Sequence, residues 1–182
     1  MSSMGDAAEK IEKMIRASRL NDIDLLMKAG QMQRITEIQD ALTKLEPGAY
    51  LIGCGPYTQG IYRLSAEEVV FGREATLHEK AVGAALDFIV NDSVTFRPRE
   101  VSRVHFSVSQ REIDGLAAYF LADLGSTCGT YLNGALLECQ KDGGSTVNTD
   151  VSKPLADLDV ISLGSGLVNL FLFLIVPKTE GV

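Results

Sequence analysis

Long apolar runs and an excess of positive charge are both missing from this chain of 182 residues. The longest apolar stretch, residues 167–176, is interrupted by Asn169 and is about half the length of a membrane-spanning helix, which needs roughly 20 apolar residues. No apolar core follows a basic start at the N-terminus, so we expect neither a membrane segment nor a secretory signal. The net charge of −7 argues against nucleic acid or an anionic membrane as a partner. These absences lead us to expect an intracellular protein, nuclear or cytoplasmic.

Residues that carry out chemistry are also scarce. The three cysteines, Cys54, Cys128 and Cys139, are odd in number and lack metal-ligand spacing, so we expect reduced thiols. Only His78 and His105 could activate a cysteine, and Cys128 in a glycine-flanked loop is the one candidate nucleophile, which we discount. No Walker-type loop and no kinase motif is present. We predict no catalytic residue, no metal site and no cofactor.

Charge is unevenly distributed along the chain. Residues 1–46 contain 8 acids and 7 bases, whereas residues 47–182 contain 16 acids and 10 bases, a net of −6. Within the acidic part, Arg97, Arg99 and Arg103 fall within seven residues. The cluster indicates either a small anionic ligand at one place or a solvated loop with arginines by chance, and charge alone does not separate these two readings.

Residues 6–46 have the apolar spacing of helices. We predict three segments: residues 11–18, a segment capped by Asn21 and ending before Gly30, and residues 32–45, which Pro47 and Gly48 follow. Short helices are marginal in water, so their apolar stripes need a partner surface. That surface is the rest of the chain, a second copy, or another protein.

After Gly48 the pattern changes to short strands separated by turn residues, which is typical of a β-sandwich. The predicted strands are residues 50–52, 60–64, 68–72, 86–90, 105–109, 116–124, 129–132, 135–137, 160–164 and 170–176. Two long loops, residues 74–85 and 138–154, interrupt the regular spacing.

Three segments combine small hydroxyls, arginines and turn glycines beside predicted strand ends: residues 71–73, 101–105 and 123–134. An arginine such as Arg73 can donate two parallel hydrogen bonds to a phosphate group. Hydroxyls such as those of Ser102 and Thr127 can donate without crowding, and turn amides can complete the shell. The set suits phosphate oxygens and offers no obvious group that would react with them.

These segments, with residues 155–164, resemble the motifs of the forkhead-associated (FHA) domain in the family's order. The resemblance covers residues 49–177 and implies an eleven-stranded, non-enzymatic β-sandwich that binds phosphothreonine peptides through loops at one end. Residues 1–46 would be a helical extension and residues 178–182 a short tail. The partner would be a phosphothreonine-containing protein, with a homodimer or second partner contact through residues 6–46, so that the chain acts as a signalling adaptor.

The resemblance also assigns roles to individual residues. The peptide-binding set it implies is Arg73, Ser102, Arg103, Thr127 and Cys128. The residues it implies hold the loops in shape are Gly72, His105, Gly125, Asn133 and Gly134.

The chain departs from the family pattern at several places. Cys128 stands where asparagine is usual, and a thiol is a weak substitute for an amide that bonds the peptide backbone. Leu158 stands where glycine is common before Asp159, and both long loops exceed the usual length. An alternative is therefore an FHA-fold scaffold that binds a protein, or itself, without phosphate. Selectivity three residues after the phosphothreonine stays open, because Arg97 and Arg99 favour an acidic residue there and Glu100 opposes it.

Overall fold

The computed structural model describes residues 4–17, 24–55, 58, 60–73, 86–90, 100–138 and 151–178. The predicted cap Asn21 and the residues His78, Arg97, Arg99 and Cys139 lie outside these ranges, as do most residues of the two long loops.

Two helices precede the sandwich, α1 (Met4–Ala17) and α2 (Asp24–Leu42). The prediction of three segments is wrong, because α2 continues through Gly30 and joins the second and third of them. A glycine inside a helix costs only about 1 kcal/mol relative to alanine, which is too little to end a helix whose far half packs against the protein. Within the described residues, no helix is long and apolar enough to cross a membrane.

The remaining elements of the described residues are eleven strands in two sheets, which confirms the eleven-stranded β-sandwich. The strands are β1 (Gly48–Gly53), β2 (Ile61–Arg63), β3 (Glu68–Gly72), β4 (Phe88–Ile89), β5 (Phe106–Ile113), β6 (Leu116–Asp123), β7 (Thr130–Leu132), β8 (Ala135–Leu136), β9 (Lys153–Leu155), β10 (Val160–Leu163) and β11 (Leu170–Val176). One sheet has the order β2-β1-β11-β10-β7-β8 and the other the order β4-β3-β5-β6-β9. Strand β9 begins inside residues 138–154, which the sequence predicted as a loop, and ends one residue beyond them. Its Pro154 is tolerated because β9 pairs with β6 at the edge of the sheet.

The core between the sheets is built around aromatic rings. Phe71 of β3 and Phe106 of β5 stack with ring centroids 4.5 Å apart, and Phe171 of β11 meets Phe106 edge to face. All three are fully buried. Because β3 ends and β5 begins beside these rings, the core fixes where the loop after β3 begins and where the loop before β5 ends.

Strand β11 is buried on both faces, which explains its unbroken apolar sequence. Phe171 and Phe173 face the core between the sheets, whereas the alternate residues Leu170, Leu172 and Leu174 face the helices. Six helix residues cover that outer face: Ala7, Ile11, Ile15, Ile35, Ile38 and Leu42. The chain itself therefore covers these apolar stripes, the first of the three partners considered, and the stripes among the described residues do not require a second copy.

Leu158, in the turn between β9 and β10, contacts the helices. It has a φ of +68°, and it packs against the cluster formed by the helices and the outer face of the six-stranded sheet. Its carbonyl accepts a 2.6 Å hydrogen bond from Lys10 Nζ of α1. A leucine at this left-handed position costs backbone energy that a glycine would not. A glycine would keep the carbonyl bond to Lys10, so what the chain gains by departing from glycine is the packing of the leucine side chain.

A second leucine, Leu167, also has a left-handed backbone, with φ +54°, but its side chain is 46% exposed. We expect Leu167→Gly to raise the free energy of unfolding by about 0.5–1 kcal/mol, because it relieves strain and loses little packing. Leu158→Gly should be less stable than Leu167→Gly, because it also loses contacts with the helices. Urea denaturation of both variants checks this, and equal stabilisation by the two would show that Leu158 packing contributes nothing.

Candidate functional site

Strand pairing places the ends of β3, β6 and β10 and the starts of β5 and β7 at one end of the sandwich. Phe106 pairs with Phe71 and with Asp123 in the five-stranded sheet, and Leu163 pairs with Thr130 in the other sheet. The three segments that carry the phosphate-compatible residues therefore meet at this end, which we call the loop end.

Backbone and side-chain hydrogen bonds tie Arg73, Ser102 and Thr127 together. The Arg73 N–H donates to the Ser102 carbonyl at 3.0 Å, and the Thr127 N–H donates to Ser102 Oγ at 3.0 Å. The two hydroxyl oxygens, Ser102 Oγ and Thr127 Oγ1, are 3.5 Å apart. Thr127 is exposed and Ser102 and Arg73 are half-buried. Ser102 Oγ accepts from the Thr127 amide and donates to Thr127 Oγ1 through a long bond of 3.5 Å, so a ligand oxygen at normal hydrogen-bond distance can compete for this proton.

Gly72 allows the segment before β5 to cross over the end of β3. A Cβ at Gly72 would lie 2.1 Å from the Arg103 carbonyl oxygen, so no larger residue fits without moving that backbone. On either side of the crossing, Arg73 bonds Ser102 and the His105 N–H donates to the Phe71 carbonyl at 2.9 Å. The predicted loop-forming role of Gly72 thus has a steric basis, and Arg103 lies half-buried beside it.

His105 is fully buried and both ring nitrogens have partners. Nδ1 accepts from the Ser102 N–H at 2.9 Å, and Nε2 lies 3.3 Å from the Gly129 carbonyl. An imidazole that accepts at Nδ1 must carry its proton at Nε2, where it donates to that carbonyl. His105 therefore joins the Ser102 segment to the segment after β6, and neither nitrogen is placed to activate a nucleophile.

Asp123, the last residue of β6, organises the turn that carries Thr127, although it is not among the site residues predicted from the sequence. Its Oδ1 accepts from the N–H groups of Gly125 (2.9 Å) and Ser126 (2.8 Å). Its Oδ2 accepts from the hydroxyls of Ser126 (2.5 Å) and Thr130 (2.6 Å). Burial raises the pKa of this carboxyl, but the hydrogen bonds from Ser126 and Thr130 outweigh burial and hold the pKa below its ordinary value. An aspartate two residues before glycine in a polar turn was the available signal.

Cys128 lies in the same turn, half-buried, and forms no disulfide with another described residue. It follows Thr127 directly, so it is at the loop end, where the resemblance places a peptide contact. Gly125, also in this turn, is exposed and is held by Asp123 through its amide.

Asn133 and Gly134 lie at the other end of β7, away from Thr127. Both have positive φ, +52° and +84°, as a two-residue type I′ hairpin turn requires. The Asn133 side chain accepts from the Val160 N–H at 2.9 Å and donates to Asp159 Oδ1 at 2.8 Å. These two residues shape the hairpin and its junction with β10, and they do not approach the phosphate-compatible set.

The Glu100 side chain points away from solvent at the loop end. Its Oε1 accepts from the Gly166 N–H at 2.9 Å, and its chain lies over Gly164. The carboxylate is therefore bound to the turn between β10 and β11.

Among the described residues, no group of three or more histidine, cysteine or acidic side chains is placed to hold a metal ion.

The arrangement of Gly72, Ser102, His105 and Thr127 around one end of an eleven-stranded sandwich agrees with a sequence comparison. The family model of the FHA domain matches residues 69–164, just over half of the chain. The chain belongs to the FHA domain family. All ten of the predicted site residues fall inside the matched range, and FHA domains are protein-interaction modules that are generally not enzymes.

Solved structures agree with this FHA fold. The yeast splicing factor Pml1, in a structure that describes its integration into the RES complex, is 19% identical with a TM-score of 0.53, covering 76% of this chain and 89% of that one. Full-length yeast Pml1p is also 19% identical, with a TM-score of 0.52, covering 77% of this chain and 92% of that one. No curated protein matches the chain significantly by sequence.

Proposed function

We propose that this FHA domain binds phosphothreonine peptides at the loop end, with Arg73, Ser102 and Thr127 receiving the phosphothreonine. The observation that carries the proposal is that Ser102 forms hydrogen bonds with both Arg73 and Thr127. Its carbonyl holds the Arg73 backbone and its hydroxyl holds the Thr127 backbone, so the three segments form one pre-organised surface.

The chemistry of a phosphorylated side chain fits this surface. The phosphate carries about −1.5 to −2 charges at neutral pH and three acceptor oxygens. Arg73 supplies a guanidinium that donates two parallel hydrogen bonds, and Ser102 and Thr127 supply hydroxyl donors. Arg103 contributes a backbone amide. An unphosphorylated threonine would leave these donors without an acceptor, so the surface favours the phosphorylated form.

The surface binds and does not react. His105 is occupied at both nitrogens, so among the residues that the structure describes no histidine is free to activate Ser102 or Cys128. Cys128, with a weakly bonding thiol, replaces an amide contact to the peptide backbone, which lowers affinity relative to a side chain that both donates and accepts. The biological role that follows is an intracellular adaptor that joins a threonine-phosphorylated protein to its own partners.

An oriented phosphothreonine-peptide library, followed by calorimetric titration of the best peptide, tests the proposal. We expect the phosphothreonine form to bind and the unphosphorylated form to give no measurable heat. The phosphoserine form should bind about fivefold more weakly, because it lacks a methyl group worth about 1 kcal/mol when buried near Thr127.

Equal binding of the phosphorylated and unphosphorylated peptides would contradict phosphate recognition and favour a phosphate-independent scaffold. Equal binding of the phosphothreonine and phosphoserine forms would contradict burial of the methyl group near Thr127, but it would not contradict phosphate recognition.

A further inference from the structure

Arg34 of α2 holds the segment that joins β1 to β2. Its guanidinium donates to three backbone carbonyls, those of Gly53 (2.7 Å), Gly55 and Thr58 (2.6 Å). Only a guanidinium presents enough donors in one plane to bond three carbonyls that converge in this way. Burial of the guanidinium lowers the pKa of Arg34 below its ordinary value. Burial also raises the pKa of the neighbouring Cys54 thiol to about 12, so Cys54 is neutral at physiological pH and is not the counter-ion.

The segment held by Arg34 packs directly on the turn between β10 and β11. The N–H groups of Cys54 and Gly55 both donate to the Leu170 carbonyl, at 2.7 and 3.2 Å. A Cβ at Gly55 would lie 1.9 Å from the Val168 carbonyl oxygen, so the two backbones are in close contact. The fully buried hydroxyl of Thr58 donates to Asn169 Oδ1 at 3.3 Å.

The turn between β10 and β11 in turn holds both segments of the phosphate site. The Gly166 N–H donates to Glu100, two residues before Ser102, at 2.9 Å. The Gly164 N–H donates to the Gly129 carbonyl at 2.9 Å, and the same carbonyl accepts from His105. A continuous series of hydrogen bonds and backbone contacts thus runs from α2 to Ser102 and to the Thr127 turn.

We propose that Arg34 is a positioning residue for the phosphate-binding loops, so that the helical extension is part of the ligand-binding apparatus of this FHA domain. The proposal rests on the function proposed above. Without Arg34 the β1–β2 segment loses its anchor, the β10–β11 turn loses the surface it packs on, and Glu100 and Gly129 lose a fixed partner. Loops that are not held in place pay their ordering entropy when the peptide binds. By linkage, a bound peptide stabilises the Arg34 bonds in return.

Hydrogen exchange without any ligand provides the first test. The amides of Ser102, Thr127 and Gly166 each donate to a partner in the series, namely His105, Ser102 and Glu100. In Arg34→Ala we expect these three amides to exchange about tenfold faster relative to the ladder amides of Val108 and Leu121. If Arg34→Ala does not fold, Arg34→Lys takes its place in the experiment. Lysine keeps the positive charge but has fewer donors, so the same three amides should exchange faster, to a smaller extent.

The matched control is Arg63→Ala. Arg63 also bonds a backbone carbonyl, that of Pro47, and the Glu46 carboxylate, but it does so at the opposite end of β1. We expect its removal to leave the Ser102, Thr127 and Gly166 amides at the parent's exchange rates. Faster exchange confined to residues 53–58, or an equal acceleration of the ladder amides, would overturn the proposal.

Titration with the best library phosphothreonine peptide provides the second test. Arg34→Ala should bind about 3- to 10-fold more weakly than the parent, and Arg63→Ala should bind as the parent does. Parent-like binding by Arg34→Ala overturns the positioning role. If the parent itself binds no phosphopeptide, the proposed function fails, whereas the exchange experiment still decides whether Arg34 holds the loops.

Discussion

Replacing Arg73 with alanine is expected to weaken phosphothreonine-peptide binding about 100-fold, the largest effect on function that we predict. A hydrogen bond to a charged group contributes about 1.5–3 kcal/mol, and a guanidinium that donates twice to one phosphate lies at or above the upper end of this range. The fold should survive, because the Arg73 bond to the Ser102 carbonyl uses the backbone N–H, which alanine keeps. Isothermal titration with the best library peptide, combined with a urea melt, measures both quantities.

Two further variants make the Arg73 result specific. Arg73→Lys keeps the charge but loses the planar fork, so its affinity should fall between those of the parent and the alanine variant. Arg63→Ala removes an arginine at the far end of the sandwich and should bind as the parent does. Full binding by Arg73→Ala would mean that the phosphate is not read by this side chain.

Replacing Asp123 with alanine is expected to lower the free energy of unfolding by about 3 kcal/mol or more, the largest effect on stability that we predict. The change removes the acceptor of four hydrogen bonds and leaves the buried hydroxyls of Ser126 and Thr130 without it. Each unsatisfied buried polar group costs about 1–3 kcal/mol. Urea denaturation at pH 7 measures the loss, and a change below 1 kcal/mol would show that the turn finds other acceptors.

Asp123→Asn separates charge from hydrogen bonding. The folded-state pKa of Asp123 lies below its ordinary value, so the carboxylate contributes stability that is complete above about pH 5 and is lost as the pH falls through the folded-state pKa. Asparagine does not titrate, so the difference in stability between parent and variant should shrink as the pH is lowered below about 4. The interaction of His105 with this carboxylate also lowers the Asp123 pKa, and it is lost in Asp123→Asn, so it forms part of the measured difference.

A pH-independent difference between parent and Asp123→Asn would contradict a lowered pKa for Asp123. Such a result would mean that the four hydrogen bonds to Asp123 do not favour its ionised form over its protonated form.

Much of the sandwich could be predicted from the sequence because strand signals are local. Apolar runs and turn residues predicted ten of the eleven strands among the described residues. The sequence placed Arg73, Ser102 and Thr127 in loops beside strand ends, and the resemblance to the FHA family implied that these loops lie at one end of the sandwich. Strand β9 could not be found this way, since its three residues include Pro154 and only its pairing with β6 makes it a strand.

Other features depend on contacts between residues far apart in the chain. The continuation of α2 through Gly30 reflects packing on the sheet rather than local propensity. Glu100 was expected to influence peptide selectivity, yet it bonds Gly166, 66 residues away. The role of Asp123 was foreshadowed locally by its turn sequence, but the bond to Thr130 required the start of β7 to come close. The bonds from Arg34 to three backbone carbonyls could not be inferred, because every residue has a backbone carbonyl and the sequence does not show which ones accept.

The double burial of β11 has a practical consequence for choosing fragments of this protein. A fragment cut to the matched range, residues 69–164, lacks β2, β1 and β11, which are three adjacent strands of the six-stranded sheet. A fragment that begins at Gly48 keeps these strands but uncovers the row formed by Tyr50, Ile52, Leu170, Leu172 and Leu174, and an apolar sheet face of this kind favours aggregation. The boundaries for expression should therefore enclose everything from α1 to β11, although the family's own borders are much narrower.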